Sequence, residues 1–145
     1  MLRRAFLSLL PITPALLRGA MSDPWTSSDL LTPKQLAQSR GGKHIIIYVG
    51  FPSLYRAAHI PGAVMQGPAS KPESLEKLKQ FARELPKDRE VVLYCGCCPF
   101  AQCPNIRPGY SALHDMGLKN LKVLVIEHNF HTDWVSKGYP TEPRP

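Results

Sequence analysis

The segment VVLYCGCCPFAQCPNIR, residues 91–107, sets a short apolar run of β-forming residues directly against all four cysteines of the chain. Val91–Tyr94 reads as a strand buried on both faces, because a continuous run of branched and aromatic residues has no polar side to turn to solvent. Cys95 is the first residue beyond it, and Cys97, Cys98 and Cys103 follow in a loop. Past the loop, Pro108 opens PGYSALHDMG, which carries Ala112, Leu113 and Met116 at helical spacing, with Asn105 as a candidate cap and Gly117 as a natural stop. The order is strand, cysteine loop, helix. Free N–H groups and the dipole at a helix start favour negative charge in such a loop, so a thiolate or a bound oxyanion is stabilised there and a thiol pKa falls.

The periodicities on either side agree with this arrangement. Upstream, Thr32 caps a short helix with Pro33 at its first position and Leu36 on its inner face. Gly41-Gly42 breaks that helix, and HIIIYV (residues 44–49) reads as a second buried strand. FPSLYRAAHIPGAV follows as a loop with a tight turn at Pro61-Gly62. Ser70-Lys71-Pro72-Glu73 has the pattern of a capping box, opening a helix with Leu75, Leu78 and Phe81 on one face, which Pro86 ends. Downstream, LKVLVIE (residues 121–127) is a third strand, and an amphipathic turn around Trp134 and Val135 stops at Gly138. Strands alternating with helices imply an α/β fold: an open, mostly parallel sheet with helices on both faces and ligands at the carboxyl ends of its strands. The cysteine loop lies at such an end.

Composition limits the partners. The chain has 145 residues, 43% of them hydrophobic and 20% charged, enough for one globular domain. Its formal charge is +7, but three of its 18 basic residues (Arg3, Arg4 and Arg18) fall in the first 22 positions, where there is no acidic residue. The rest are scattered, without a basic run or interleaved aromatics, which argues against nucleic acid. The first 22 residues read as an export leader, with domain boundaries at 1–22 and 23–145. MLRR is a positive n-region, an apolar stretch broken by Pro11 and Pro14 follows, and Ala20 and Ser22 mark a small-residue cleavage region. Arg3-Arg4-Ala5-Phe6-Leu7 resembles the twin-arginine motif, pointing to a periplasmic location, with a mitochondrial presequence or a cytoplasmic protein as the alternatives. The apolar stretch is too short and too proline-broken to span a membrane.

Four pieces taken in order, HIPGAV after a strand, VVLYC at the end of a later strand, MGLKNLKVL after the next helix and the closing DWVSKGYP, resemble the rhodanese homology domain. The resemblance covers roughly residues 31–141. It implies one five-stranded rhodanese-like domain and a sulfurtransferase: a cysteine takes sulfane sulfur from a small donor anion such as thiosulfate, holds it as a persulfide, and passes it to a thiol or a cyanide-like acceptor. The family's cysteine falls on Cys95, and no cofactor is implied. Several family positions differ. Tyr48 and Gly50 stand where an aspartate and an arginine are usual, Leu54 replaces a glutamate, Ala58 replaces a glycine, and Asn129-Phe130-His131 replaces paired glycines. The cysteine loop is also several residues longer than the family's compact cradle, which bears on which oxyanion it selects.

The remaining site residues leave alternatives open. Gly96 supplies a tight backbone passage beside substrate, and Arg107 either holds an oxyanion through charge-assisted hydrogen bonds or lies solvated at the surface. Cys97, Cys98 and Cys103 are resolving or accessory thiols, disulfide partners, or ligands. If a metal binds, zinc or soft copper at Cys95, Cys98 and Cys103 is expected. Thiol–disulfide exchange, with a redox partner protein, is the competing use of the loop. His59 reads as a structural residue of its turn, and His114, His128 and His131 have no spacing that suggests a second ligand. Phosphoryl transfer is excluded, because a cysteine phosphatase needs an arginine six positions after its nucleophile. Those positions after Cys95, Cys97, Cys98 and Cys103 are Ala101, Cys103, Pro104 and Gly109.

Overall fold

The structure, a computed structural model, describes residues 22–39 and 42–143. The expected leader lies outside them except for Ser22. In chain order the elements are β1 (Leu30–Leu31), α1 (Pro33–Gln38), β2 (Ile45–Tyr48), α2 (Pro52–Ala57), β3 (Val64–Met65), α3 (Pro72–Arg83), β4 (Val91–Tyr94), α4 (Ile106–Asp115), β5 (Leu121–Leu124) and α5 (Phe130–Asp133). The five strands form one sheet in the order β1-β5-β4-β2-β3. Every pairing is parallel, with Ile45 opposite Val91 and Val91 opposite Leu121. β4 is the central strand and all four of its residues are buried, as an apolar run with no polar face requires.

Alternation along the strands divides the core into two layers. Ile47, Val91, Leu93, Leu121 and Val123 pack with Leu78 and Ala82 of α3 and with Ile106, Tyr110 and Leu113 of α4. Tyr48, Val92, Tyr94 and Leu124 face the other way, onto Leu36 of α1, Trp134, and the half-buried Tyr55 of α2 and Phe130 of α5. Cys95 continues the Val91 and Leu93 side and so belongs to the layer covered by α3 and α4. No helix of the described residues is long and apolar enough to cross a membrane.

Three local expectations are corrected. The segment after β2 is not all loop. Pro52 occupies the first turn of α2, where its missing N–H costs nothing, and the Ala58 N–H closes the helix onto the Leu54 carbonyl at 3.1 Å. The capping box at Ser70 does not form: α3 starts at Pro72 with Lys71 at the cap position and no side-chain cap, because the Ser70 N–H is held instead by Asn105 Oδ1 at 2.9 Å. α4 begins at Ile106, two residues before Pro108. Pro108 is accommodated because the first N–H groups of a helix have no partner within it. By contrast, Thr32 caps α1 as expected, its hydroxyl accepting from the Gln35 N–H at 3.2 Å while the Gln35 side chain returns to the Thr32 N–H at 2.8 Å.

Candidate active site

β4 delivers Cys95 to the carboxyl edge of the sheet, and the chain then turns sharply at Gly96. Gly96 has φ +74, and a Cβ on it would lie 2.8 Å from Phe130 Cβ, so both the left-handed backbone and the close approach require glycine. Its carbonyl accepts the Phe130 N–H at 3.1 Å, which ties the start of the cysteine loop to α5. Gly50, at the end of β2, is as constrained: a Cβ there would lie 2.8 Å from Cys95 Sγ and 2.5 Å from the Tyr48 hydroxyl. The loop runs from Cys95 to Asn105 and contains a 3₁₀ turn at Phe100–Gln102, with the Phe100 N–H on the Glu127 carbonyl at 3.3 Å.

This path folds the four thiols onto one another, all of them free. Cys95 Sγ lies 3.0 Å from Cys97 Sγ, and Cys97 Sγ lies 3.3 Å from Cys98 Sγ. Among the described residues, Cys95, Cys97 and Cys103 are the group of three ligating side chains whose donor atoms all lie within 4.8 Å of one another. The metal set expected from spacing, Cys95, Cys98 and Cys103, is thereby corrected: the 3₁₀ turn carries Cys103 back to Cys95 and Cys97. Cys98 stays outside this mutually close set, although its sulfur touches that of Cys97 and it shares a small void with Cys95 and Cys103.

Asn105 differs from its expected role, and Arg107 lies away from the oxyanion position that was one of its two alternatives. Asn105 makes no side-chain cap on α4. It is fully buried, its Oδ1 holds the Ser70 N–H, and its Nδ2 donates to Cys95 Sγ at 3.5 Å and to Cys97 Sγ at 3.7 Å. An amide aimed at two sulfurs favours their anionic form, and only its position just before a helix hinted at it. Arg107 is placed outside the thiol site. Its guanidinium pairs with Asp23 at 2.9 and 2.7 Å, reaches the Phe100 carbonyl and lies 5.3 Å from the Trp25 ring. It lines neither cavity that touches Cys95. The N-terminal segment supplies two of these partners, Asp23 and Trp25, and the loop the third, so the arginine fastens that segment over the loop.

The charge of the cluster is unevenly held. The Cys103 thiol is drawn down to about 6, first by the Cys95 thiol beside it and then, against its burial, by the N–H groups of Asn105 and Ile106 at the start of α4. Cys95 is pushed strongly upward, first by facing Cys103 and then by burial. Burial, assisted by Cys97, raises Cys98 to about 12. One negative charge is therefore shared by Cys95 and Cys103 and rests on Cys103, where the backbone donors point. The expected lowering of a thiol pKa at this helix start falls on Cys103 instead of the strand-end Cys95. The absorbance of the thiolate in the far ultraviolet should accordingly rise through about pH 6, and Cys103→Ser should remove that step; a first thiolate appearing only near the ordinary thiol range would count against this assignment.

Cys95 touches two spaces. On its inner side is a void of about 10 Å³ shared with Cys98, Phe100, Cys103 and Ile106. That is room for about one water. On its outer side is an open cleft of about 500 Å³, lined by Tyr48, Leu54, Ala58, Cys97, Phe130 and His131 among others. Cys103 does not reach this cleft, so a substrate meets Cys95 and Cys97 first. Leu54 is exposed at the cleft, and among the described residues no lysine, arginine, aspartate or glutamate lines it. Burial and then the neighbouring cysteine cluster raise the Tyr48 phenol, which stays neutral and donates to the Phe51 carbonyl at 3.0 Å.

His59 keeps the structural role expected of it. His59 stacks on Tyr55 with centroids 3.7 Å apart, and its Nδ1 is 2.7 Å from the Tyr55 carbonyl. His128 pairs with Asp133 at 3.0 Å, and His114 lies exposed beside Asp115. His131 alone reaches the cleft.

The family model of the rhodanese-like domain matches residues 32–126, a span that runs from the cap of α1 past β5 and includes the whole thiol cluster. No curated protein matches the sequence. Among solved structures, a Bacillus halodurans protein is similar with a TM-score of 0.61 at 19% identity, over 79% of this chain and 77% of that one. The rhodanese-like domain of an Anabaena protein follows at 0.58 and 20% identity, over 79% and 78%. A thiosulfate sulfurtransferase from Pseudomonas aeruginosa is similar at 0.56 and 23% identity, over 79% of this chain but 19% of that one. At these identities the structural likeness speaks for the fold, and the family model, matched along most of the chain, carries the assignment: this chain belongs to the rhodanese-like domain family.

Proposed function

We propose that the protein is a sulfurtransferase that moves a sulfane sulfur through a persulfide on Cys95. The observation that carries this reading is the position of Cys95 between an open cleft and a second sulfur: it faces the approaching donor on one side and Cys103 on the other. Cys103, as the resting thiolate, takes the proton of the Cys95 thiol. The Cys95 thiolate attacks the outer sulfur of thiosulfate, a new S–S bond forms, and the donor's S–S bond breaks with its electron pair leaving on sulfite. The nucleophilic acceptor, cyanide in the simplest case, then attacks the terminal sulfur and returns Cys95 as the thiolate. Asn105 Nδ2 holds the Cys95 sulfur in both anionic states. The inner void is too small for the added sulfur and a donor, so the persulfide points into the cleft. With no lysine or arginine in that lining, donors are distinguished by shape and by hydrogen bonds more than by charge.

The test is an intact mass of reduced, desalted protein after thiosulfate and, separately, after glutathione persulfide. A gain of one sulfur atom that cyanide removes as thiocyanate supports the reading, and no gain with either donor overturns it. Thiol–disulfide exchange is a second reading, favoured by the 3.0 Å separation of the Cys95 and Cys97 sulfurs. A loss of two hydrogen atoms in place of the sulfur gain would support that alternative.

A further inference from the structure

We propose that Cys95, Cys97 and Cys103 form a three-coordinate thiolate site for a soft monovalent metal ion, copper(I), independent of sulfur transfer. The three sulfurs lie within 4.8 Å of one another and come from both ends of the loop, Cys95 and Cys97 at the strand end and Cys103 just before α4. Metal–sulfur bonds of about 2.3 Å in a trigonal plane put the sulfurs roughly 4 Å apart. The Cys95 and Cys97 sulfurs, now 3.0 Å apart, need only open by about an ångström.

Three features select the ion. All three donors are sulfur, the softest ligand a protein offers, and no histidine or carboxylate joins them, which favours copper(I) over harder divalent ions. The fourth thiol, Cys98, touches Cys97 at 3.3 Å and shares the inner void with Cys95 and Cys103 but falls outside the mutual set, so three sulfurs, one fewer than the four-ligand shell of a structural zinc, are placed around one point. The site also has an outer shell and an entrance. Asn105 is completely buried, its Oδ1 fixed by the Ser70 N–H, and its Nδ2 lies within 3.7 Å of two of the three sulfurs, an arrangement that orients ligands and stabilises their anionic form. Cys95 and Cys97 line the open cleft through which the ion arrives, whereas Cys95 and Cys103 are only 4% and 5% exposed, so the bound ion is shielded from water. Each thiol that binds gives up its proton to solvent, and no electron is transferred.

The experiment titrates copper(I) anaerobically into the reduced full chain against the chromophoric chelator bathocuproine disulfonate, with no sulfur donor present. One copper(I) per chain is expected, together with the long-wavelength emission of solvent-shielded copper(I) thiolates. Cys97→Ser and Cys103→Ser should weaken binding by more than the roughly 10–100-fold that loss of an outer-shell hydrogen bond costs, Asn105→Ala by about that amount, and Cys98→Ser by less than about threefold. X-ray absorption on the copper-loaded wild type, which depends on no variant folding, should count three sulfurs. Two or four sulfurs, a nitrogen or oxygen ligand, or a Cys98→Ser loss equal to that of Cys103→Ser would overturn the site. Because no donor is used, these results stand apart from success or failure of persulfide loading.

Discussion

Cys95→Ser is expected to abolish sulfane-sulfur loading, lowering thiocyanate formation by more than about a thousandfold, the scale on which an enzyme loses activity when its nucleophile is removed. The residue is held by the central strand, all four of whose residues are buried, and it is set between the turn at Gly96 and the close approach of Gly50 to its sulfur. A nucleophile needs that fixity, since a displacement of about an ångström can cost roughly a hundredfold in rate. Cys103, although it carries the negative charge, sits behind Cys95 and does not touch the cleft. Its replacement by serine should leave some loading, slowed because the Cys95 proton has lost its acceptor, and should shift the pH profile of loading toward higher pH. Peptide mapping of the loaded protein reads the answer directly. Sulfur found on Cys103 or Cys98 in the Cys95→Ser protein, at wild-type yield, would show that the long loop has moved the nucleophile off the strand end.

The second large effect is on stability. Trp134→Ala should destabilise the protein by about 3–5 kcal/mol, the usual cost of removing a fully buried large aromatic, and lower its melting temperature by roughly 10 °C. The indole is completely buried, donates to the Pro140 carbonyl at 2.8 Å, stacks on Phe130 with centroids 6.1 Å apart and meets Tyr139 edge-on at 5.1 Å. Phe130 in turn lines the cleft and holds the Gly96 carbonyl. The cavity therefore opens beneath the wall of the site, and sulfur loading should fall even at temperatures where the variant remains folded. Trp134→Phe, which keeps the stacked ring and loses the hydrogen bond, should recover most of the stability. Thermal unfolding followed by circular dichroism decides the matter: a melting temperature for the alanine variant within about 2 °C of wild type would mean that the layer tolerates the loss.

How far the chain could be read from its residues depends on the range of the interactions involved. The apolar runs at residues 44–49, 91–94 and 121–127 declared parallel strands because burial on both faces leaves no polar alternation, and Thr32-Pro33 declared the start of α1 because cap and first turn are set by neighbours in sequence. The placement of Cys95 at the edge of the sheet follows from the same local logic. α2 was hidden because six residues are too few to display a helical period, and the Ser70 box failed because a side chain 35 positions away took the N–H it needed. Local composition left Arg107 either an oxyanion ligand or a surface arginine, and set Cys98 with Cys95 and Cys103 as the ligands of any metal. Only the tertiary structure decides between such alternatives: Asp23, 84 positions away, claims the guanidinium, and the 3₁₀ turn at Phe100–Gln102 returns Cys103 to Cys95 and Cys97. The same packing puts the charge on Cys103 and aims Asn105 at two sulfurs. Residue types and spacing determined the longer elements and the strand-end thiol, because backbone hydrogen bonding and burial act over a few neighbours. Which sulfur carries the charge and which side chain meets it depended on groups brought together from distant parts of the chain, and no local pattern encodes that.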